Sequence, residues 1–390
     1  MLMMKLAYRN IIGAGMRTWL NVAALSFAFV TIIFLKGVYN GMNDQVERAT
    51  IDALYGGGQF WHERYDPYDP QSFVDAHGII PEVLRPLIKQ KAAVPILIRQ
   101  GTIYPGGRFR NILLKGIDPQ QKILAIPVST LTDRDGTIPA MIGTRMAKHT
   151  GLHTNDCITV QWRTSHGTFD AREVMIVNIF KTTVQEIDND QIWIPIDIMQ
   201  KITELPDQAT MIIINKESKI IPAAPGWNFK DLNFLLQDLH SLVEMKSMGG
   251  SIFYTILLLL AMLAIFDTQV LSIWHRRKEM GTLMALGMTR AQLIGLFTLE
   301  GSFHGILAAL VGALYGIPLL SYVARNGWGL PQSTDNFGFA LGDRIFPSYS
   351  LGLIIGTTIL VLVITAIVSF LPTKKIASLK PTDALKGKMT

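Results

Sequence analysis

The chain has 390 residues, 49% of them hydrophobic and only 17% charged, with a mean hydropathy of +0.29. A soluble globular domain carries roughly 25% charged residues, so a soluble enzyme or a secreted domain is excluded as the first expectation. A few membrane spans plus one large polar domain fit the length better than a fully embedded bundle. The net charge of +6 is uneven: residues 43–250 hold 21 Lys+Arg against 24 Asp+Glu, and the remainder holds 15 against 6. Basic residues that flank apolar runs are a topology signal rather than a nucleic-acid face. Cys157, the single cysteine, leaves no intrachain disulfide and no multi-cysteine zinc site.

In chain order, Lys5, Arg9 and Arg17 stripe an otherwise largely apolar segment, which predicts a cytoplasmic amphipathic helix over residues 1–17. Four stretches then meet the requirement of about 20 apolar residues for a bilayer crossing: residues 18–42, 251–274, 292–323 and 349–372. Their only charged residues are Lys36 in the first, Asp267 in the second and Glu300 in the third. The first stretch is long for a signal-peptide core and no clean small-residue cleavage site follows it, so it is expected to stay as a span. Arg276, Arg277, Lys278 and Arg290 crowd the loop 275–291, and five lysines from Lys374 to Lys388 crowd the tail 373–390. Positive charge marks the cytoplasmic side. Both termini and 275–291 are therefore expected inside, with 43–250 and the loop 324–348 outside.

Within 43–250, β-branched runs with partial alternation predict strands at Val94–Arg99, Asn111–Ile117, Cys157–Trp162, Glu173–Phe180, Ile192–Ile196 and Met211–Asn215. Pro81–Gln90, Thr144–Thr150 and Asp197–Thr203 read as helical. The fold class expected is thus an α-helical membrane protein with four transmembrane helices and a large extracytoplasmic α+β domain. Leucines at helical spacing over Asp231–Met248 run into the second span, with Gly249-Gly250 as a point of bending. The aromatic stretch Phe60–Tyr68 reads first as a packed, proline-stiffened loop and second as a ligand contact. No nucleophile–base pair and no convincing metal-ligand spacing stands out, so no catalytic residue and no metal is expected.

The segment RRKEMGTLMALGMTRAQLIGLFTLE (276–300) resembles the cytoplasmic loop of the FtsX-like, MacB-type ABC transporter permeases. The start KLAYRNIIGAGMRTWLNV (5–22), the stretches GIDP (116–119), IGTRMAKHTGLHTNDCITV (142–160) and IFKTTVQEIDNDQIWIPIDIMQKI (179–202), and the tail LKPTDALKG (379–387) extend the likeness. In layout the chain is similar to the lipoprotein-releasing LolC and LolE members. That resemblance implies a MacB/Lol-like periplasmic domain, a bacterial inner-membrane location and a dimer with a second copy or a paralogue. It also implies two copies of an ABC ATPase, with ATP and Mg bound there and no cofactor on this chain. The sequence has no G-x-x-x-x-G-K-[ST] phosphate loop, in keeping with a separate ATPase. Lipoprotein cargo, a periplasmic acceptor and membrane lipid complete the implied partners. MacB-like export of peptides or small molecules, and FtsX-like control of cell-wall hydrolases, are the alternatives.

Three groups of residues carry these expectations. Arg276, Arg277, Lys278, Glu279, Met280, Gly281, Leu283, Leu286 and Gly287 describe a short amphipathic helix. The resemblance assigns it to ATPase coupling; its bland alternative is a solvated basic loop. Asp267, Glu300 and His304 lie inside spans, where a charge costs about 2.5–3.5 kcal/mol on insertion scales. They are expected to form a polar cluster tying the second and third spans together, with a relay or metal site as the sharper alternative. Phe34, Val38, Tyr39, Met42, Ile252, Phe253 and Ile256 offer apolar surface at the outer ends of the first two spans. By analogy with lipoprotein release they contact acyl chains, and they suit plain lipid equally. Gly301/Gly305 and Gly312/Gly316 are expected to pack helices within the subunit.

Overall fold

The computed structural model describes residues 16–132, 136–218, 221–329 and 344–377. Residues 1–15 of the expected amphipathic helix 1–17, most of the loop 324–348 and most of the tail 373–390 lie outside the described residues. Two compact units account for the chain, one built mainly from residues 45–242 and one from the segments before and after it.

The first of these is an α/β unit. Its sheet has nine strands: β1 (Gln59–His62), β2 (Ala93–Ile103), β3 (Arg110–Ile117), β4 (Ile138–Gly143), β5 (Cys157–Arg163), β6 (Phe169–Phe180), β7 (Gln191–Pro195), β8 (Met211–Ile214) and β9 (Trp227–Lys230). Their order is β9-β1-β8-β2-β3-β7-β4-β6-β5, and β5 pairs again with β2. Strands β2, β3, β7, β4, β6 and β5 thereby close into a small barrel, which removes their free edges. The pairs β3–β7 and β4–β6 are parallel, and the others in the ring are antiparallel.

Alternation along these strands sends Leu97, Leu114, Ile142, Val160, Ile176 and Ile194 into the barrel, where all are fully buried. Met146 and Met199, from the short helices Thr144–Thr150 and Ile196–Ile202, complete that core. The ring closes at Gly101, opposite Trp162. A Cβ at Gly101 would lie 3.1 Å from the Gln161 carbonyl, so the missing side chain lets the two strands approach.

All six predicted strands are present, with ends shifted by a few residues. The predicted helix Pro81–Gln90 shrinks to Arg85–Lys89. The strands β1, β4 and β9 have no counterpart among the predicted elements. The aromatic stretch, expected as a loop from Phe60, begins as β1 and turns out of the sheet only after His62. Its Phe60 pairs with Ile212 on one side and Phe229 on the other.

The second unit is helical. Four helices, Met16–Thr50, Gln237–His275, Arg290–Asn326 and Leu351–Ala377, are each long and apolar enough to cross a membrane. They match the four predicted spans and extend beyond them. Gly249-Gly250 lies within the unbroken second helix rather than at a break. Phe29, Val30 and Ile33 of the first helix pack with Ala308 and Leu320 of the third and with Val361 and Val368 of the fourth. The third helix lays a buried stripe of Gly301, Gly305, Ala308, Gly312 and Gly316 along this core. A Cβ at Gly305 would meet Leu362 and Thr365 of the fourth helix, and one at Gly312 or Gly316 would meet Phe29 or Val30 of the first. The stripe is an intrachain seam, as small residues at this spacing permit.

Gly316→Leu is therefore expected to lower the melting temperature in detergent, because its first carbon alone would sit 2.9 Å from a Val30 methyl. The cost expected of such overpacking is about 1–3 kcal/mol. Adding Val30→Ala should recover part of the loss, whereas an unchanged melting temperature for Gly316→Leu would show that the seam is loose.

Candidate coupling segment

Between the second and third membrane helices the chain folds into one short helix, Arg277–Ala285. It stops at Gly287, whose φ of +96° suits glycine. There the Gly287 N–H donates to the Met284 carbonyl and the Met288 N–H to the Leu283 carbonyl. These two bonds satisfy the last carbonyls of the helix in a Schellman arrangement. Thr289 then caps the third membrane helix. Its hydroxyl accepts from the Gln292 N–H, and the Gln292 side chain accepts from the Thr289 N–H. Two tight caps therefore fix both ends of the turn that joins these helices.

The short helix is amphipathic as expected, but its apolar face is already occupied within the chain. Met280 is 2% exposed and packs with Leu293 and Phe297 of the third helix, and Leu283, Met284 and Met288 join them. Gly281 is buried with Met280. What remains on the surface is Lys278, Glu279, Thr282, Ala285, Leu286 and Gly287, of which Leu286 is 80% exposed. Met280 and Leu283, expected in the coupling segment, thus pack against Leu293 and Phe297 and hold the segment to the third helix. A partner would meet a mixed face with a single large apolar residue. The Arg277 side chain lies outside the described ones.

Arg276 anchors the segment from its other side. Its Nη1 donates to both Glu300 oxygens, at 2.7 and 2.9 Å, and its Nε donates to Glu279 at 2.8 Å. The guanidinium lies 5.1 Å from the Phe297 ring centroid. Arg276 thus bridges the short helix and the third membrane helix, and the Glu300 side chain, 7% exposed, gains a counter-charge. The expected cluster of Asp267, Glu300 and His304 is corrected here. Glu300 does tie the second and third helices, but its partner is Arg276. Asp267 is exposed and makes no ion pair or hydrogen bond among the described residues. The His304 ring nitrogen Nδ1 lies 3.0 Å from the Glu300 carbonyl, one turn back on its own helix. The signal available in the sequence was an intramembrane acid with an arginine just beyond the neighbouring span.

The apolar residues of the first two helices fall into two classes. Phe34, Val38, Tyr39 and Met42 are half-buried. Phe34 stacks on Trp328, and the Tyr39 hydroxyl donates to the Val243 carbonyl. Ile252, Phe253 and Ile256 are exposed on the second helix.

Residues 251–381 match the FtsX-like permease C-terminal family. The chain is 20% identical to the lipoprotein-releasing system transmembrane protein LolC of Neisseria meningitidis, over 95% of this chain and 94% of that protein. It is 24% identical to an uncharacterised ABC transporter permease of Methanocaldococcus jannaschii, over 60% of this chain and 64% of the archaeal protein. The uncharacterised permease YknZ of Bacillus subtilis is likewise 24% identical, over 66% of this chain and 64% of its own length. The chain therefore spans just under two-thirds of two of these relatives and nearly all of the third.

Removing one partner of a buried ion pair costs about 3–5 kcal/mol. Arg276→Ala and Glu300→Ala are each expected to lower the detergent melting temperature strongly, and the double variant with both alanines should lose clearly less than the two losses added. Two independent, additive losses in that double-mutant cycle would mean that the contact is incidental.

Proposed function

We propose that this chain, an ABC transporter permease subunit related to the FtsX/MacB-type permeases and to LolC, extracts lipoproteins from the outer leaflet of the inner membrane. The observation that carries this reading is the alignment with LolC, which runs through both the α/β unit and the helical unit and covers nearly all of each protein. The charge asymmetry of the loops supports cytoplasmic termini, a cytoplasmic segment 275–291 and a periplasmic α/β unit.

Energy would enter at the short helix. Two copies of a separate ATPase, holding ATP and Mg, would dock on the permease dimer. On this chain they would meet the exposed face of Lys278, Glu279, Thr282 and Leu286. Movement imposed there would pass to the third membrane helix through Arg276–Glu300 and the Met280–Leu293–Phe297 packing. Arg276 directly follows His275, the last residue of the second helix, so its pair with Glu300 reaches the end of that helix as well. This is mechanotransmission, with transport driven by movement of the permease rather than by chemistry on it.

The cargo's acyl chains would lie against Ile252, Phe253 and Ile256, which are free on the second helix. Phe34 and Tyr39 are engaged inside the subunit and serve better as the wall behind. Each CH₂ buried contributes about 0.8 kcal/mol, so even one acyl chain gives such a surface substantial affinity.

Purification of the tagged full-length chain from native membranes in mild detergent, with mass spectrometry of what accompanies it, tests the proposal. An ATPase together with acylated lipoproteins is the expected result. An ATPase with a periplasmic adaptor would replace it with export, and the absence of any ATPase would overturn the transporter assignment. Leu286→Arg should leave folding intact and weaken the ATPase interaction by about 2 kcal/mol, roughly thirtyfold in affinity. Unaltered ATPase binding and transport in that variant would exclude Leu286 from the contact.

A further inference from the structure

The α/β unit contains a cavity of about 1560 Å³ between the outside of the barrel and the sheet extension that carries β1 and β8. Ligand pockets commonly measure roughly 300–1,000 Å³, so an elongated molecule fits with room for water. Part of its wall is apolar, from Ile96, Leu113, Met211, Ile213 and Trp61.

On that wall sits Lys115. Its neighbour Leu114 points into the barrel, so alternation turns Lys115 outward, in register with Ile98 on β2 and Trp193 on β7. Lys115 is 6% exposed. Its ammonium lies 5.0 Å from the Trp193 ring centroid, and it makes no hydrogen bond or ion pair among the described residues. Glu186, the acid whose field reaches it, is itself exposed and is not bonded to it. Burial pushes the Lys115 amine down to about 8. Buried lysines are almost always paired, and an unpaired buried cation is costly. Among the described residues, the Trp193 indole N–H is a buried donor with no partner, the Gln191 amide oxygen on the same strand is a buried acceptor without one, and Arg99 Nε in the same lining is a further buried donor without one.

We propose that this cavity binds an amphiphilic carboxylate, with its anionic head on Lys115 and its apolar body along Trp61 and Leu113, the half-buried apolar residues of the lining. A singly charged head suits a lining in which the buried cations Lys115 and Arg99 are accompanied by acids such as Glu186 and Asp190. The aliphatic wall answers an alkyl or aryl body rather than a sugar. This inference rests on the α/β unit alone and stands or falls separately from ATPase coupling and lipoprotein cargo.

The test uses the full-length protein in lipid nanodiscs, decanoate as probe and decanol as its uncharged counterpart. Mass spectrometry follows acetylation of Lys115 by a limiting amine-directed reagent, with the exposed Lys122 as internal reference. Decanoate is expected to slow Lys115 labelling about tenfold, the loss of one charge-assisted contact being of that order, and to leave Lys122 unchanged; decanol should protect neither. In folded Lys115→Met, decanoate affinity should fall about tenfold. Equal protection by decanol, or undiminished decanoate binding in Lys115→Met, would overturn the proposal. If Lys115→Met does not fold, the wild-type labelling experiment decides alone.

Discussion

A bilayer interior offers the backbone no hydrogen-bond partner and gives a charge almost no solvation, and the helical unit is organised around both facts. Each crossing segment closes its own ladder by becoming one helix. The stray acid of the third helix is met by an arginine placed just past the end of the second. Lipid also removes most of the hydrophobic drive for helix to meet helix, so contact depends on how closely backbones can approach. The third helix supplies that closeness with its buried glycines, against which Phe29 and Val30 of the first helix and Leu362 and Thr365 of the fourth are seated.

The α/β unit obeys the opposite solvent. In water its strands must hide apolar faces and edges, and a twisted sheet can do both by closing on itself. Pairing β5 back onto β2 gives a barrel filled by its inward residues, with β8, β1 and β9 continuing the sheet outside the ring. The extension creates a second apolar layer between itself and the barrel's outer face. The cavity opens beside that layer, with Lys115, 6% exposed, on its wall.

The segment between the second and third helices shows how one sequence pattern can serve two surfaces. Met280 and Leu283 look like residues meant for a partner because they are apolar in a cationic loop. In the fold they secure the short helix to Leu293 and Phe297. This packing, together with Arg276–Glu300, fixes the short helix to the third membrane helix. What is left outside is a mixed surface in which Leu286 is the large exposed apolar residue.

Much of the protein was legible in one dimension. Span number followed from uninterrupted apolar length, expected orientation from the lysines and arginines beside those spans, and six of the strands from runs of β-branched residues. Each is local, carried by neighbours along the chain, so sequence alone determines it. The family resemblance was legible for the same reason, since its motifs are contiguous. Tertiary structure decided everything that depends on which distant residues meet. Glu300 meets Arg276, from just past the end of the second helix, while Asp267 is left exposed, a pairing that sequence separation alone does not reveal. The strands β4 and β9 escape detection because Ile138–Gly143 and Trp227–Lys230 are short and interrupted by proline, glycine or polar residues. They become strands only when partners supply the other half of each hydrogen bond. Lys115 reads as an ordinary polar residue in a strand, and only closure of the barrel beneath it and the sheet extension above it leaves its charge buried and alone.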